Sequence, residues 1–320
     1  AVEPGTVLKG DGTPYRVYTP FFNEWFKIDH GLPVQRGSLL SVRDQLSVEW
    51  DPQLDLGKEI EAGEEFALST LRKFIKNRSH DYSELRNRPD VGGTSHLSHA
   101  LSHGEIHPRT ILAVTPEGIG GEVFRKEIAW REFYADVLWN NPQSLTEYLD
   151  PKYSRMRYNF DSDIFDRWCM GKTGYPMVDA GMRQLATTGW MHNRVRMIVA
   201  SFLVKDLHFE WQHGAKWFEE HLTDFDPASN SQGWQWTAGC GTDASPYYRV
   251  FNPVMQGIKF DPNGEYVRKF VPELRHLGGL LAHEPWESPD GYIHGYAERI
   301  VDHAEERVES LARLEALKSL

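Results

Sequence analysis

Residues 175–209, YPMVDAGMRQLATTGWMHNRVRMIVASFLVKDLHF, decide the fold class of this chain. The first half is typical of one helix, because Pro176 suits a helix start and Gly189 suits the residue after a helix end. The second half, residues 192–209, is rich in apolar side chains and predicts a further helix. Two helices in succession favour an all-α domain.

Helical patterns extend outward from this stretch on both sides. Apolar residues recur at helical spacing over 59–77, and a strong pattern over 121–141 ends at Pro142. A short helix is predicted over 213–222 and an amphipathic one over the last 24 residues. No run of residues alternates as a strand would. The sequence therefore predicts an all-α domain over 59–320.

The first 58 residues read differently. They are rich in Gly and Pro, and the chain starts without Met. We expect a connector over residues 1–58 that enters a helix near Phe21 and is loop-rich over 30–57. We also expect that a domain precedes it in the full-length protein.

Composition narrows the class of protein. With 40% hydrophobic and 25% charged residues the chain matches a globular protein. It has no apolar run near the roughly 18 residues of a membrane helix and no signal peptide. Cys169 and Cys240 are too few for a disulfide framework, so we expect a reducing, cytoplasmic compartment. We also expect a monomer with no membrane partner. A net charge of −11 argues against broad coating of nucleic acid, although a local basic groove is compatible with it.

Residues 94–109, TSHLSHALSHGEIHPR, contain four histidines at helical spacing. Histidines so spaced can bind zinc, but no HExxH pattern accompanies them, and the alternative is a solvated face beside inward-facing leucines. We predict no metal site. Gly92, Gly93 and the hydroxyls of Thr94, Ser95 and Ser98 suit either a phosphate cradle at a helix start or a capped helix.

Two other stretches place unusual side chains together. In EIAWREFY, residues 127–134, Glu127, Trp130 and Arg131 share a helix face, which suits either a surface ion pair beside half-buried rings or a wall for a stacked base. In the 192–209 helix, Asn193, Arg194 and Met197 lie on one side. Arg196 lies elsewhere and needs a carboxylate if it is buried, for which Asp224 is the natural candidate.

These motifs closely resemble the photolyase/cryptochrome family. The resemblance rests on GTSHLS (93–98), IAWREFY (128–134), residues 171–207, DFDPASNSQGWQWTAGCGTDASPYYRVFNP (224–253) and HEPW (283–286), and covers most of residues 60–290. It is greatest to class I cyclobutane pyrimidine dimer photolyases. The resemblance implies a helical domain that binds FAD, and it implies that the preceding α/β antenna domain is absent here. An antenna chromophore in the full-length protein is compatible with it.

The resemblance also implies roles for individual residues. The expected cofactor-binding residues are Tyr82, Thr94, Ser95, His96, Leu97, Ser98, Arg196, Asp224, Phe225, Asp226 and Asn230. The expected catalytic residues around the dimer and the flavin are Glu127, Trp130, Asn193, Met197, Asn230 and Trp236. The expected DNA contacts are Arg86, Trp130, Arg131, Asn193, Arg194 and Arg249.

The implied function is light-dependent repair of cyclobutane pyrimidine dimers in DNA, a carbon–carbon lyase reaction driven by electron transfer from reduced FAD. Damaged DNA is the implied partner, in a bacterial cytoplasm and nucleoid. The alternative is a cryptochrome-like photoreceptor that signals without repair. Glu127, Trp130, Asn193, Met197 and Asn230 all match the dimer-repair pattern.

The resemblance further implies a relay of oxidisable rings that reduces the flavin. Trp234 matches the ring nearest the flavin and Trp211 the middle one. The third position, where a tryptophan is usual, is Tyr158. Tyrosine is harder to oxidise unless it loses its proton, so we expect the electron path to end differently here.

Overall fold

The computed structural model describes residues 1–33, 61–242 and 248–319. Within those ranges the chain forms fourteen α-helices and five short 3₁₀ helices, and its only strand-like pairing is a bridge between Leu8 and Pro14. The α-helices are α1 Tyr18–Trp25, α2 Glu64–Asn77, α3 Tyr82–Leu85, α4 Ser98–Ser102, α5 Pro108–Val114, α6 Ile119–Asn140, α7 Ser162–Cys169, α8 Pro176–Thr188, α9 Asn193–Lys205, α10 Trp211–His221, α11 Pro227–Ala238, α12 Pro253–Phe260, α13 Glu265–Phe270 and α14 His303–Lys318. The 3₁₀ helices are Pro142–Leu145, Pro151–Arg155, Pro272–Leu274, Gly279–Ala282 and Pro285–Glu287. The predicted all-α fold is confirmed.

Helices α8 and α9 begin and end where the sequence indicates. Pro176 is the first residue of α8, and Gly189 ends it in the left-handed region with φ 69°. His192 caps α9, because its ring nitrogen accepts a hydrogen bond from the backbone N–H of Arg194 at 3.1 Å. Helix α2 begins at Glu64, later than the pattern suggested, directly after Gly63 with φ 99°. The loop-rich stretch predicted over 30–57 lies mostly outside the described residues.

The largest core surrounds α9. Val195, Ile198, Val199, Phe202 and Leu203 are all buried, and they occupy the helical spacing of a core-facing stripe. Helices α8, α10 and α11 pack against this stripe. Burying one such side chain contributes about 1.5–3 kcal/mol, so this core is a main source of stability.

Helix α6 links the main core to two smaller ones. Phe124 and Ile128 pack into a cluster with residues of α2 and α5, whereas Phe133 and Val137 pack against α1. The same helix also packs against α11. Residues 127–134 therefore lie on a helix that contacts α1, α3 and α11 and so connects the three cores.

Candidate functional site

The segment that leads into α11 carries an ion pair between a buried carboxylate and a half-buried arginine. The carboxylate of Asp224 accepts hydrogen bonds from Nη2 of Arg196, at 2.9 Å to Oδ1 and 2.7 Å to Oδ2. Nε of Arg196 also donates to the carbonyl of Met191 at 2.8 Å. A buried carboxylate such as Asp224 is costly without a partner of this kind. The pairing suggested by the sequence is present, and it ties α9 to α11.

Next to this ion pair, three elements meet at the start of α11. Asp226 caps the helix through a 2.7 Å hydrogen bond from the backbone N–H of Ser229. Its second oxygen lies 3.4 Å from Nη2 of Arg131 on α6. The hydroxyl of Ser102 on α4 donates to the carbonyl of Phe225. Arg131, a predicted DNA contact, thus faces a carboxylate of the predicted cofactor site.

Residues 94–97 precede α4 and Ser98 is its first residue, yet none of these side chains caps the helix. No side chain caps this helix, and Oγ1 of Thr94 is buried with no hydrogen-bond partner among the described residues. Oγ of Ser95 accepts from the backbone N–H of Leu97 at 3.4 Å. Oγ of Ser98 accepts from the indole N–H of Trp190 at 3.2 Å. The capped-helix interpretation therefore fails at this helix, and a buried hydroxyl is left for another partner.

His96 and Tyr82 are also among the predicted cofactor residues. His96 adopts a left-handed backbone with φ 53°, and its ring lies 4.7 Å from that of Trp190. Burial lowers the pKa of His96. Tyr82 is buried against Phe74 and Phe124 in the smaller core beside α6. The structure brings His96 into the same region as α9, while the Tyr82 ring belongs to the α2–α6 packing.

Glu127 forms an ion pair with Arg86, the residue that directly follows α3. Nη1 of Arg86 lies 2.5 Å from Oε1 of Glu127. Burial raises the pKa of Glu127, and the Arg86 guanidinium opposes that rise. Half-buried carboxyl groups balanced in this way are typical of functional sites as well as of structural ion pairs.

The start of α9 carries the other predicted dimer and DNA residues. Asn193 is exposed, and Met197 lies one turn further along the same helix. The guanidinium of Arg194 donates to Oδ1 of Asn87 at 2.8 and 3.1 Å and lies 4.6 Å from the ring centre of Phe260. Asn87 directly follows Arg86, so Glu127 and the start of α9 are brought together by one short segment.

Trp130 is stacked against a ring that sequence reasoning missed. Its centroid lies 3.8 Å from that of Tyr18, with an interplanar angle of 7°. Tyr18 belongs to α1, within the predicted connector, and its hydroxyl donates to the carbonyl of Lys126 at 2.8 Å. One face of Trp130 is therefore covered. The aromatic run YTPFF at 18–22 is the only sequence signal that could have indicated this contact.

The paired tryptophans of α11 lie in different surroundings. Residues two apart on a helix point about 200° away from each other. Trp234 is buried, with Phe218 5.0 Å and Trp168 6.3 Å from its ring centre. Trp236 is half-buried. Asn230 lies one turn before Trp234. Its side-chain amide N–H donates to the carbonyl of Ala215 at 3.0 Å, and its side-chain oxygen takes no part in that bond.

The remaining relay residues lie at the α10 end of the main core. Trp211 is 1% exposed, and Tyr148 contacts it edge to face at 6.2 Å. Tyr148 in turn stacks on Tyr158, with centroids 6.3 Å apart and an angle of 19°. Tyr158 is half-buried. No sequence signal pointed to Tyr148.

Two further predictions concern the periphery. Arg249 is exposed, and its carbonyl accepts from the buried Lys205 ammonium at 2.5 Å. None of the contacts among the described residues joins Arg249 to the other predicted DNA arginines.

His99 and His103 have rings 4.4 Å apart, but no group of three or more His, Cys, Asp or Glu residues in the described ranges could hold a metal ion.

Comparison with known proteins decides what this arrangement belongs to. The family model for the FAD binding domain of DNA photolyase matches residues 124–316. The chain belongs to the photolyase family. It is 41% identical to the deoxyribodipyrimidine photo-lyase of Escherichia coli, over 98% of this chain and 71% of that protein. It is 40% identical to the Alkalihalophilus pseudofirmus deoxyribodipyrimidine photo-lyase, over 97% and 70% of the two chains.

Solved photolyase structures agree with this assignment. A class III photolyase from Agrobacterium tumefaciens superposes with a TM-score of 0.87 at 40% identity, covering 100% of this chain and 72% of that one. A photolyase from Sulfolobus tokodaii, described with two FAD molecules, gives 0.83 at 29% identity over 98% and 71%. The predicted relation to class I photolyases within the family stays a prediction. No helix of the described residues is long and apolar enough to cross a membrane.

The residues of the photolyase site fit FAD. The buried hydroxyl of Thr94, which has no partner among the described residues, suits a cofactor oxygen. The guanidinium groups of Arg196 and Arg131 lie beside the start of α11, where they pair with Asp224 and Asp226 and keep further N–H donors for a cofactor. Residues of α4, α6, α9 and α11 thus converge on one region with donors for both phosphate and polar ring atoms.

Proposed function

We propose that this protein repairs cyclobutane pyrimidine dimers in DNA under light, with FAD held between α4, α9 and α11. The observation that carries the proposal is the cluster of Glu127, Arg86 and Arg194 beside the converging cofactor residues. It gives a half-buried acid, two cations and an aromatic wall at one place. Bound FAD in its reduced state supplies the photoexcited electron.

The protein's own residues position the dimer and its charge. Glu127 has a pKa raised by burial, so it holds a proton more readily than an ordinary glutamate and can donate a hydrogen bond to a thymine carbonyl. Arg86 fixes the orientation of that carboxyl group at 2.5 Å. Such a donor is worth most in a site that excludes water.

Stacking supplies the rest of the dimer pocket. Trp130 is held rigid by Tyr18 at 3.8 Å, so its second face and edge are preorganised for a flipped base. Asn193 and Met197 add a polar and an apolar contact from α9. Rigid stacking partners lower the ordering cost of binding. A damaged base costs less to unstack than an intact one, which favours a bound dimer.

The cofactor would be held by the residues around the ion pair. Asp224, locked by Arg196, and Asp226, the cap of α11, would face the polar edge of the flavin ring. Thr94 and Ser98 would bind the phosphate and ribityl part. The side-chain oxygen of Asn230, left over from the bond to Ala215, would face the ring edge.

Repair of ultraviolet-irradiated DNA under blue light, with a dark control, tests the proposal. We expect repair only in the light. Glu127→Ala should lower the repair rate by about 100-fold, the usual cost of removing one such donor, while FAD absorbance is retained. Glu122→Ala, an exposed acid on the same helix, is the matched control and should repair normally. A wild-type protein that holds FAD and repairs nothing in the light would instead be a photoreceptor.

A further inference from the structure

Tyr158, at the position that the family resemblance assigns to the outer ring of the relay, stacks on a second tyrosine, Tyr148. Tyr148 and Tyr158 stack with ring centroids 6.3 Å apart and an interplanar angle of 19°, and each phenol shifts the pKa of the other. Tyr148 also contacts Trp211 edge to face at 6.2 Å, whereas the ring contacts of Trp211 within the described ranges do not include Tyr158. Tyr148 therefore lies between the buried tryptophan and the half-buried tyrosine.

A carboxylate stands at the phenol of Tyr148. The hydroxyl of Tyr148 donates to Oε1 of Glu210 at 3.3 Å, and Glu210 is the residue directly before α10, which starts with Trp211. Burial raises the pKa of both tyrosines above the usual range, so neither phenol gives up its proton without a positioned acceptor. Burial also raises the pKa of the nearby Cys240 thiol to about 12, so that group stays protonated and is no acceptor.

Trp211 has the opposite property. Its indole Nε1 is buried and has no hydrogen-bond partner among the described residues. An oxidised Trp211 consequently keeps its proton and remains a radical cation, which is a strong oxidant for a neighbouring phenol. Of the two rings in contact, only Tyr148 therefore has a proton acceptor, the carboxylate of Glu210.

We infer that Tyr148 passes the electron vacancy from Trp211 to Tyr158, and that Glu210 accepts the phenol proton. One electron moves from Tyr148 to oxidised Trp211, the phenol O–H bond breaks, and the proton goes to Oε1 of Glu210. Trp211 is restored, Tyr148 becomes a neutral radical and Glu210 a neutral acid. Tyr158, stacked on Tyr148, then gives one electron and its phenol proton to the Tyr148 radical, which restores Tyr148 as a neutral phenol, and the vacancy ends on Tyr158.

This inference rests on the proposed function in one respect. The oxidant that first oxidises the relay is photoexcited oxidised flavin, and the final tyrosyl radical is reduced by an external thiol. Dimer repair itself does not enter, because repair starts from flavin that is already reduced. A protein that forms the tyrosyl radical as described therefore supports the pathway whether or not it repairs dimers.

Transient absorption and electron paramagnetic resonance of the FAD-loaded full chain test the pathway. We expect a tyrosyl radical in the wild type whose formation slows in D₂O. Tyr148→Phe should abolish that radical and lengthen the life of the Trp211 radical cation. Tyr158→Phe should leave a shorter-lived radical on Tyr148. Glu210→Gln, which keeps the shape but not the acceptor, should slow radical formation by about 100-fold, the lower part of the range for a positioned proton acceptor.

Tyr153→Phe is the matched control. Tyr153 is another half-buried tyrosine packed against the same core, with Lys152 5.1 Å from its ring centre and no ring contact to Trp211 among the described residues. It should give wild-type radical kinetics. FAD absorbance and circular dichroism show which variants are folded. Radical yield and kinetics unchanged in both folded Tyr148→Phe and folded Glu210→Gln would overturn the inference.

Discussion

His192 shows how one buried side chain can make stability depend on pH. Its ring accepts the Arg194 N–H at the start of α9, its other ring nitrogen is buried without a partner among the described residues, and it is 2% exposed. Burial lowers the pKa of His192 from 6.5 to about 3. Below pH 6.5 the unfolded chain takes up a proton that the folded one refuses, so this contribution to stability is present above pH 6.5 and is lost as the pH falls towards 3.

His192→Asn should remove that dependence while keeping the cap, since asparagine is a good N-cap residue. The free energy of unfolding of the wild type should fall by up to about 1.4 kcal/mol per pH unit more than that of the variant between pH 6.5 and 5. Urea unfolding at several pH values measures this. His107→Asn is the matched control, because His107 caps α5 in the same way but is exposed, and burial lowers its pKa less than that of His192, so its pH profile should change less. Parallel pH profiles for wild type and His192→Asn would contradict the prediction.

At the scale of elements, the contact between α10 and α11 depends on one glycine. A Cβ at Gly214 would lie 2.1 Å from Cη2 of Trp234. The indole cannot easily move aside, because Phe218 and Trp168 pack on it at 5.0 and 6.3 Å. The small residue therefore sets how closely α10 approaches the ring that the family resemblance places nearest the flavin.

Gly214→Ala should destabilise the protein by about 1–3 kcal/mol through this overpacking. Gly233→Ala is the matched control, because Gly233 precedes Trp234 on α11 and an added Cβ meets nothing within 4 Å. That change should be neutral or stabilise by up to about 1 kcal/mol, since alanine favours helix. Urea unfolding followed by tryptophan fluorescence distinguishes the two. Equal stabilities for the two variants would show that α10 can shift freely.

Helix positions could be predicted from the sequence where local signals exist. Pro176 and Gly189 mark the ends of α8, and the apolar spacing of α9 marks its buried face. The pairing of Arg196 with Asp224 followed from the cost of a lone buried cation. The contacts of Trp130 with Tyr18 and of Trp211 with Tyr148 could not be predicted, because each joins residues far apart in sequence. Only the packing of whole helices decides such contacts.

The whole molecule carries a net charge of −11, yet its proposed partner is a polyanion. Of the predicted DNA arginines, Arg86 and Arg131 are paired with Glu127 and Asp226. The contacts of Arg194 are with the neutral Asn87 and Phe260, and in the described ranges no carboxylate lies within ion-pair distance of the exposed Arg249. Among the predicted DNA arginines, the positive charge available to phosphate is therefore confined to Arg194 and Arg249. The net negative charge of the protein repels DNA at long range.

Arg249→Gln should weaken binding to damaged and undamaged DNA alike, because a phosphate contact carries no sequence information. The slope of log affinity against log salt concentration should become shallower by about 0.9, the change expected for one lost phosphate contact. Fluorescence anisotropy of labelled duplexes between low and physiological salt measures the slope. Lys216→Gln changes the net charge equally, but Lys216 pairs with Glu219 and Glu220 on the surface of α10, so its slope should match that of the wild type. If both variants lower affinity to the same extent with unchanged slopes, DNA senses only the overall charge of the molecule and Arg249 makes no phosphate contact.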